Sequence, residues 1–258
     1  MRIQDKVIVI TGGASGLGLA TAHYLLEEKG GRIAIFDVNV EAGEKAVADL
    51  GSAHAMFVQT DVSNEESVQK AVDAVMARFG AIHVCINGAA LASGFRVLGK
   101  EGKAAPLARF AQTTAVNING VFNVMSRCAE QMAKNEAEVG EERGVVINVS
   151  SGAAYEGQIG QCAYAASKAA IIGMNMPAAR EFGAIGVRVN AIAPGLFLTP
   201  MVAALDEKVL TSLKEQMEAP KRLGDMREFA HCCAFVIENA YLNAETIRLD
   251  AASRLRAK

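Results

Sequence analysis

The sequence has no surplus of either charge: 26 Lys and Arg stand against 28 Asp and Glu, a formal net charge of −2. That balance excludes the electrostatic footprint with which proteins hold nucleic acid or an anionic membrane. No apolar stretch reaches the ~20 residues needed to cross a bilayer. The five cysteines, Cys85, Cys128, Cys162, Cys232 and Cys233, contain no C-x-x-C pair. Their odd number suits buried thiols in a reducing compartment rather than a disulfide framework. His231-Cys232-Cys233 is the only His/Cys cluster. Adjacent residues on a helix point in different directions, so packing is expected there and no metal. There is no internal repeat, low-complexity segment or linker. An apolar, β-branched run starts at about residue 6, which leaves no room before it for a signal or transit peptide. The cytoplasm is therefore the expected compartment.

What the chain does have is length and apolar content. Its 258 residues suit one doubly wound α/β domain spanning 1–258. With 51% apolar residues and a mean hydropathy of +0.20, it carries more apolar surface than a monomer needs to bury. A subunit interface, hence a homo-oligomer, is expected.

Two stretches carry chemistry. In the first, the buried-strand pattern KVIVIT (6–11) runs directly into TGGASGLG, with Gly12, Gly13, Gly16 and Gly18, and then into the helical pattern LATAHYLLEEK. A strand, a glycine turn and a helix N-terminus together make a phosphate cradle, because free amide N–H groups and the helix dipole converge on it. The spacing is G-x-x-x-G-x-G rather than G-x-G-x-x-G. A second apolar run, RIAIF, ends in Asp37, nineteen residues beyond Gly18. A carboxylate there accepts from a ribose 2′-OH and repels a 2′-phosphate. The next residue is Val38 and the glycine loop holds no basic residue, so NAD is expected over NADP. The second stretch is Ser151 to Lys168, SGAAYEGQIGQCAYAASK. Tyr164 and Lys168 stand at i and i+4, on one helix face. A phenol has a pKa of ~10, and a nearby lysine cation is expected to pull it toward neutrality. Ser151 is placed to hold a substrate oxygen beside it. The trio moves a proton on or off an alcohol or carbonyl oxygen.

With these motifs the chain resembles the short-chain dehydrogenase/reductase family over nearly its whole length. TGGASGLG matches the family's T-G-x-x-x-G-x-G, and Tyr164-Ala-Ala-Ser-Lys168 its Y-x-x-x-K. Ser151 lies at the family serine, and Asn117 in AVNING matches the asparagine that completes its tetrad. The stretches YEGQIGQCAYAASKAAIIGM, GVRVNAIAPGLFLTPM and IENAYLNAETIRLD are most similar to members acting on 3-hydroxyacyl-CoA thioesters or hydroxysteroids. The resemblance implies a single-domain Rossmann-type parallel sheet of about seven strands with helices on both faces. Residues 1–150 would mainly bind NAD, and 151–258 would hold the catalytic residues and a substrate lid. It implies cofactor contacts from Gly12, Ser15, Gly16, Leu17, Gly18, Asp37, Asp61, Val62, Asn87, Gly88, Tyr164, Lys168, Pro194, Gly195, Phe197 and Thr199. Catalysis would fall to Ser151, Tyr164, Lys168 and Asn117, with Ser151 and Tyr164 touching the substrate. Asn117 would kink its helix and hold a water that links the lysine to solvent. A tetramer is the family's common assembly, and a dimer the alternative.

The implied reaction is reversible, NAD-dependent oxidation of a secondary alcohol, with 3-hydroxyacyl-CoA as first substrate and a hydroxysteroid as the alternative. A reading of another class is an NAD-binding scaffold or regulatory subunit, against which the complete Asn117, Ser151, Tyr164, Lys168 set argues. Ala90 stands where the family has glycine in N-N-A-G, and Asp250-Ala251-Ala252 where it has D-G-G. Elsewhere, 107–134 reads as one long helix and 200–223 as the lid, whose MVAALDEKVLTSLKEQME reads as an amphipathic helix. Its apolar stripe of Met201, Val202, Leu205, Val209, Leu213 and Met217 is of the kind more often buried as core, while in a lid its methionines suit an apolar substrate tail. The long segment 91–106 carries Lys100 and Lys103, which could meet phosphates of a CoA-type substrate.

Overall fold

The strands read from the sequence form one parallel sheet in the computed structural model, which describes residues 1–257. They are β1 (Val7–Thr11), β2 (Arg32–Asp37), β3 (Ala55–Gln59), β4 (Val84–Asn87), β5 (Gly144–Val149), β6 (Val187–Pro194) and β7 (Thr246–Leu249). Their order is β3-β2-β1-β4-β5-β6-β7. All residues of β1, β4, β5 and β6 are buried, which is why these segments read as unbroken apolar runs.

Alternation along the strands sorts the core into two faces. Ile8, Ile10, Ile33, Ile35, Ile86 and Ile147 point to one, where α1 (Gly16–Glu27), α2 (Val40–Leu50) and α9 (Met226–Glu238) cover them. Val7, Val9, Ala34, Phe36, Cys85 and Val146 point to the other, beneath α3 (Glu65–Phe79), α5 (Val121–Met132) and α6 (Cys162–Gly183). The remaining helices are α4 (Leu107–Thr114), α7 (Pro200–Ala203) and α8 (Glu207–Lys214). None of the described helices is long and apolar enough to cross a membrane. No group of three potential metal ligands occurs among the described residues.

Three expectations are refined or corrected here. The segment expected as one long helix is helical without a break over 107–132, but a π-helical turn, Ala115–Gly120, joins α4 to α5. Its wider winding swings Asn117 fully inward. The lid is two short helices, broken at 204–206, and its apolar stripe is not core: Met201, Leu205 and Val209 are exposed and only Met217 is fully buried. Among the cysteines, Cys162 is exposed at the start of α6, whereas the other four are buried.

Candidate active site

The order of strands reverses between β1 and β4, and the glycine loop opens there. Ile10 of β1 pairs with Ile35 of β2 on one side and with Ile86 of β4 on the other. Gly12 takes a left-handed φ of 66°. A Cβ on it would lie 3.0 Å from the Ala89 backbone. A Cβ on Gly18 would be driven into the Gly12 carbonyl, so helix and strand approach this closely only without side chains. At Gly16 the nearest atom to a Cβ would be Thr199 Cγ2, 3.9 Å away, so the loop faces open space and the start of α7. Ser15 sits at the N-cap of α1 without a side-chain cap bond, and the first turn holds no acidic residue. By contrast, Asn39, Asn64 and Asp225 cap α2, α3 and α9 with their side chains. The first amides of α1 are thus left for an external anion, and Leu17 leans on the core behind them.

Asp37 ends β2 beside this loop. Its Oδ2 accepts from the Ala14 amide at 3.2 Å and its Oδ1 from the Asn39 amide at 3.1 Å. Asp61 caps its own turn, accepting from the Ser63 amide (2.9 Å) and hydroxyl (2.7 Å). Val62 is buried against Gly120, where any Cβ would come within 2.6 Å of Val62 Cγ2. Asn87 donates through Nδ2 to Asn148 Oδ1 at 2.9 Å, while its own buried Oδ1 has no partner. The Gly88 amide reaches Thr11 Oγ1 at 3.1 Å, which ties β4 to the glycine loop. Ala90 takes no left-handed angle, so its methyl costs nothing in backbone strain. The glycine cradle, the uncapped helix and the carboxylate at the end of β2 fit a dinucleotide.

The second constellation lies at the carboxyl ends of β5 and β6. Ser151 follows β5, and its Oγ accepts from the Ala153 amide at 3.1 Å. The Tyr164 phenol of α6 faces the same space. Both line a cavity of about 210 Å³ with Pro194 and Gly195. A Cβ on Gly195 would meet Asp250 Cα at 2.8 Å. Lys168 is buried, its Nζ donating to the Val149 carbonyl at 2.8 Å and standing 5.8 Å from the centre of the Tyr164 ring. The expected tuning is reversed. Burial raises the phenol pKa, and the nearby Ser151 hydroxyl offsets this only in part. Burial also lowers the lysine pKa to about 8. The ammonium spends its bond on a backbone carbonyl, so the phenol stays protonated at neutral pH.

Asn117 acts as a staple. Its Oδ1 accepts from the Leu91 amide at 2.7 Å, and its Nδ2 donates to the Leu91 carbonyl (3.1 Å) and to Ser167 Oγ (2.9 Å). It thereby joins the chain after β4 to the helix that carries Tyr164 and Lys168. Phe197 turns into the core, edge-on to Phe229 at 6.1 Å between ring centres. Thr199 caps α7 beside Gly16. Lys100 and Lys103 are not brought to the cavity, and Lys103 pairs with Glu101 at 3.0 Å in solvent. Sequence reasoning missed the polar lining: Glu156, Gln158, Gln161, Asp250 and Ser253, with Leu255. The sequence marks Asp250 only as the D-G-G position and Glu156, Gln158 and Gln161 only as part of a resembling stretch; their grouping around one cavity depends on the fold.

Residues 6–210 match the family model described as short chain dehydrogenase. The 3-hydroxyacyl-CoA dehydrogenase type-2 of Homo sapiens is 44% identical over 255 residues, covering 98% of this chain and 97% of that protein. Its namesake from Drosophila melanogaster is 41% identical over 254 residues, covering 98% and 99%. The crystal structure of 3-hydroxyacyl-CoA dehydrogenase type-2 from Mycobacterium avium matches with a TM-score of 0.91 at 37% identity, covering 98% and 97%.

Proposed function

Because the chain belongs to the short-chain dehydrogenase family and is an oxidoreductase, we propose that it interconverts 3-hydroxyacyl-CoA and 3-oxoacyl-CoA with NAD. The observation that carries this reading is that Ser151 and Tyr164 line one cavity, with buried Lys168 one helical turn beyond the tyrosine. Full-length similarity to proteins named for that thioester supports the substrate class. Asp37 supports NAD, since a carboxylate at the end of β2 would repel a 2′-phosphate.

When bound, a nicotinamide dinucleotide would supply the hydride-carrying carbon. Gly12, Ser15, Gly16, Leu17 and Gly18 would hold its pyrophosphate and Asp37 its adenosine ribose. Asp61 and Val62 would hold the adenine, and Asn87, Gly88, Pro194, Gly195, Phe197 and Thr199 the nicotinamide end. In the reducing direction the protonated Tyr164 gives its proton to the substrate oxygen, and burial suits it as donor. Ser151 hydrogen-bonds the same oxygen as charge develops on it. Lys168, whose Nζ donates to the Val149 carbonyl, would hold the nicotinamide ribose and stabilise the phenolate. Asn117 fixes the helix that carries both and supports proton exchange with solvent. Residues 1–150 thus serve mainly the cofactor, and the chain from 151 onward serves the chemistry and the lid. The assembly is a homo-oligomer. The outward face of α6 carries the small residues Ala166, Ala169 and Gly173 beside exposed Met176, which permits close helix approach.

The test is NADH absorbance with acetoacetyl-CoA against a panel of ketosteroids. The expected result is rapid oxidation with the thioester and little with steroids, and a rate with NADPH well below that with NADH. Tyr164→Phe should lower kcat about 10²–10⁴-fold with NADH affinity unchanged. Steroid turnover above thioester turnover would overturn the substrate, and near-full activity of Tyr164→Phe the mechanism.

A further inference from the structure

Part of the lining of the cavity that holds Ser151 and Tyr164 comes from the chain beyond β7. Asp250, Ser253 and Leu255 line it. This segment is fastened on two sides. On one side is an ion cluster. Arg248 reaches both Glu156 oxygens at 2.9 and 3.0 Å and Asp250 Oδ2 at 2.9 Å, and its guanidinium lies 4.5 Å over the Tyr155 ring. Arg254 adds a contact to Asp250 at 3.1 Å and one to Glu156 at 3.7 Å. On the other side are backbone pins. Gln158 donates to the Arg256 carbonyl and the Ile159 amide to the Ala257 carbonyl, each at 3.1 Å. Both fastenings end on the 155–161 segment, which connects Ser151 to the helix of Tyr164.

We infer that residues 253–257 form a fixed wall of the substrate cavity and that Leu255 sets the length of the acyl chain admitted. The inference rests on the thioester reading and deepens it. At about 210 Å³ the cavity lies below the ~300–1,000 Å³ usual for ligand sites. A short 3-oxoacyl group fills it, and the remainder of a thioester lies outside. Arg248 and Arg254 neutralise Glu156 and Asp250, so the two carboxylates in the lining do not repel a thioester carbonyl. Because the anchor is charged and multiply bonded, the wall stays in place during turnover instead of yielding to a longer chain.

The test compares wild type, Leu255→Ala and Leu255→Trp. For each, kcat/KM is measured on 3-oxoacyl-CoA substrates from four to twelve carbons and on 2-alkanones of the same range. NADH affinity by fluorescence and thermal midpoint confirm that each variant is folded. Leu255→Ala should raise the long-to-short ratio of kcat/KM by about tenfold, and Leu255→Trp should lower it by a similar factor. Arg254→Ala should shift the ratio in the same direction as Leu255→Ala. An unchanged chain-length profile in folded variants would overturn the wall. Turnover of alkanones but not thioesters, with the profile still shifting, would uphold the wall and overturn the thioester. Absence of turnover with both series would overturn both.

Discussion

Ala251 and Ala252 occupy left-handed backbone angles, with φ of 50° and 58°. A methyl group in that region costs roughly 1–2 kcal/mol relative to ordinary angles. The turn is held regardless, because Asp250 Oδ1 accepts from the Ala252 amide at 3.1 Å and the Glu218 amide reaches the Ala251 carbonyl at 3.0 Å. This gives a physical reason for glycines at the matching family positions. Ala251→Gly or Ala252→Gly should stabilise the protein by about 0.5–1 kcal/mol, after the greater freedom of glycine in the unfolded chain is subtracted. Thermal unfolding would read a rise of roughly 1–4 °C, and a fall would show that the methyl contacts outweigh the strain. Legibility in the sequence differed at this scale. Tyr164 and Lys168 were readable because one helical turn brings them together. The protonation of the phenol was not, since it depends on burial and on Lys168 preferring the Val149 carbonyl. Nor was the Arg248–Glu156 contact, whose partners stand 92 residues apart.

Among the elements, strands were legible and interruptions were not. The runs that became β1, β2, β5 and β6 are set by apolar residues that the sheet buries whichever helix covers them. The π turn at Ala115–Gly120 follows from tertiary demands instead. Asn117 must reach Leu91 and Ser167, and Gly120 must let α5 close on Val62. Gly120→Ala places a methyl against Val62 and should push that residue out of its site. Since Val62 is assigned to the adenine, the expected outcome is weaker NADH binding, by about tenfold, with a loss of about 1–3 kcal/mol in stability. Fluorescence titration checks the first and denaturant unfolding the second. Undiminished affinity would move the adenine elsewhere. The lid shows the same limit: its apolar spacing read as a helix, but the break at 204–206 and the exposure of Met201 and Leu205 could not be inferred from periodicity.

At the scale of the molecule, apolar excess pointed to an assembly, and Met176 and Phe122 are exposed at 45% and 59%. Light scattering should give a mass of two or four times 27.1 kDa, and a mass near 27.1 kDa at micromolar concentration would refute the oligomer. The parallel sheet has a further consequence, in time rather than in space. No two of its neighbours can zip together as a hairpin, and the central strand must wait for distant partners: Ile8 pairs with Ile33 on one side and with Val84 on the other. Until β4 arrives, one edge of β1 stays open, with its apolar side chains unprotected. Long-range pairing of this kind carries refolding toward milliseconds to seconds and favours association of half-formed chains. The glycine loop lies at that same late seam, so the dinucleotide cradle is completed only when the slowest pairing closes, and a ligand that seals it would hold the finished sheet together.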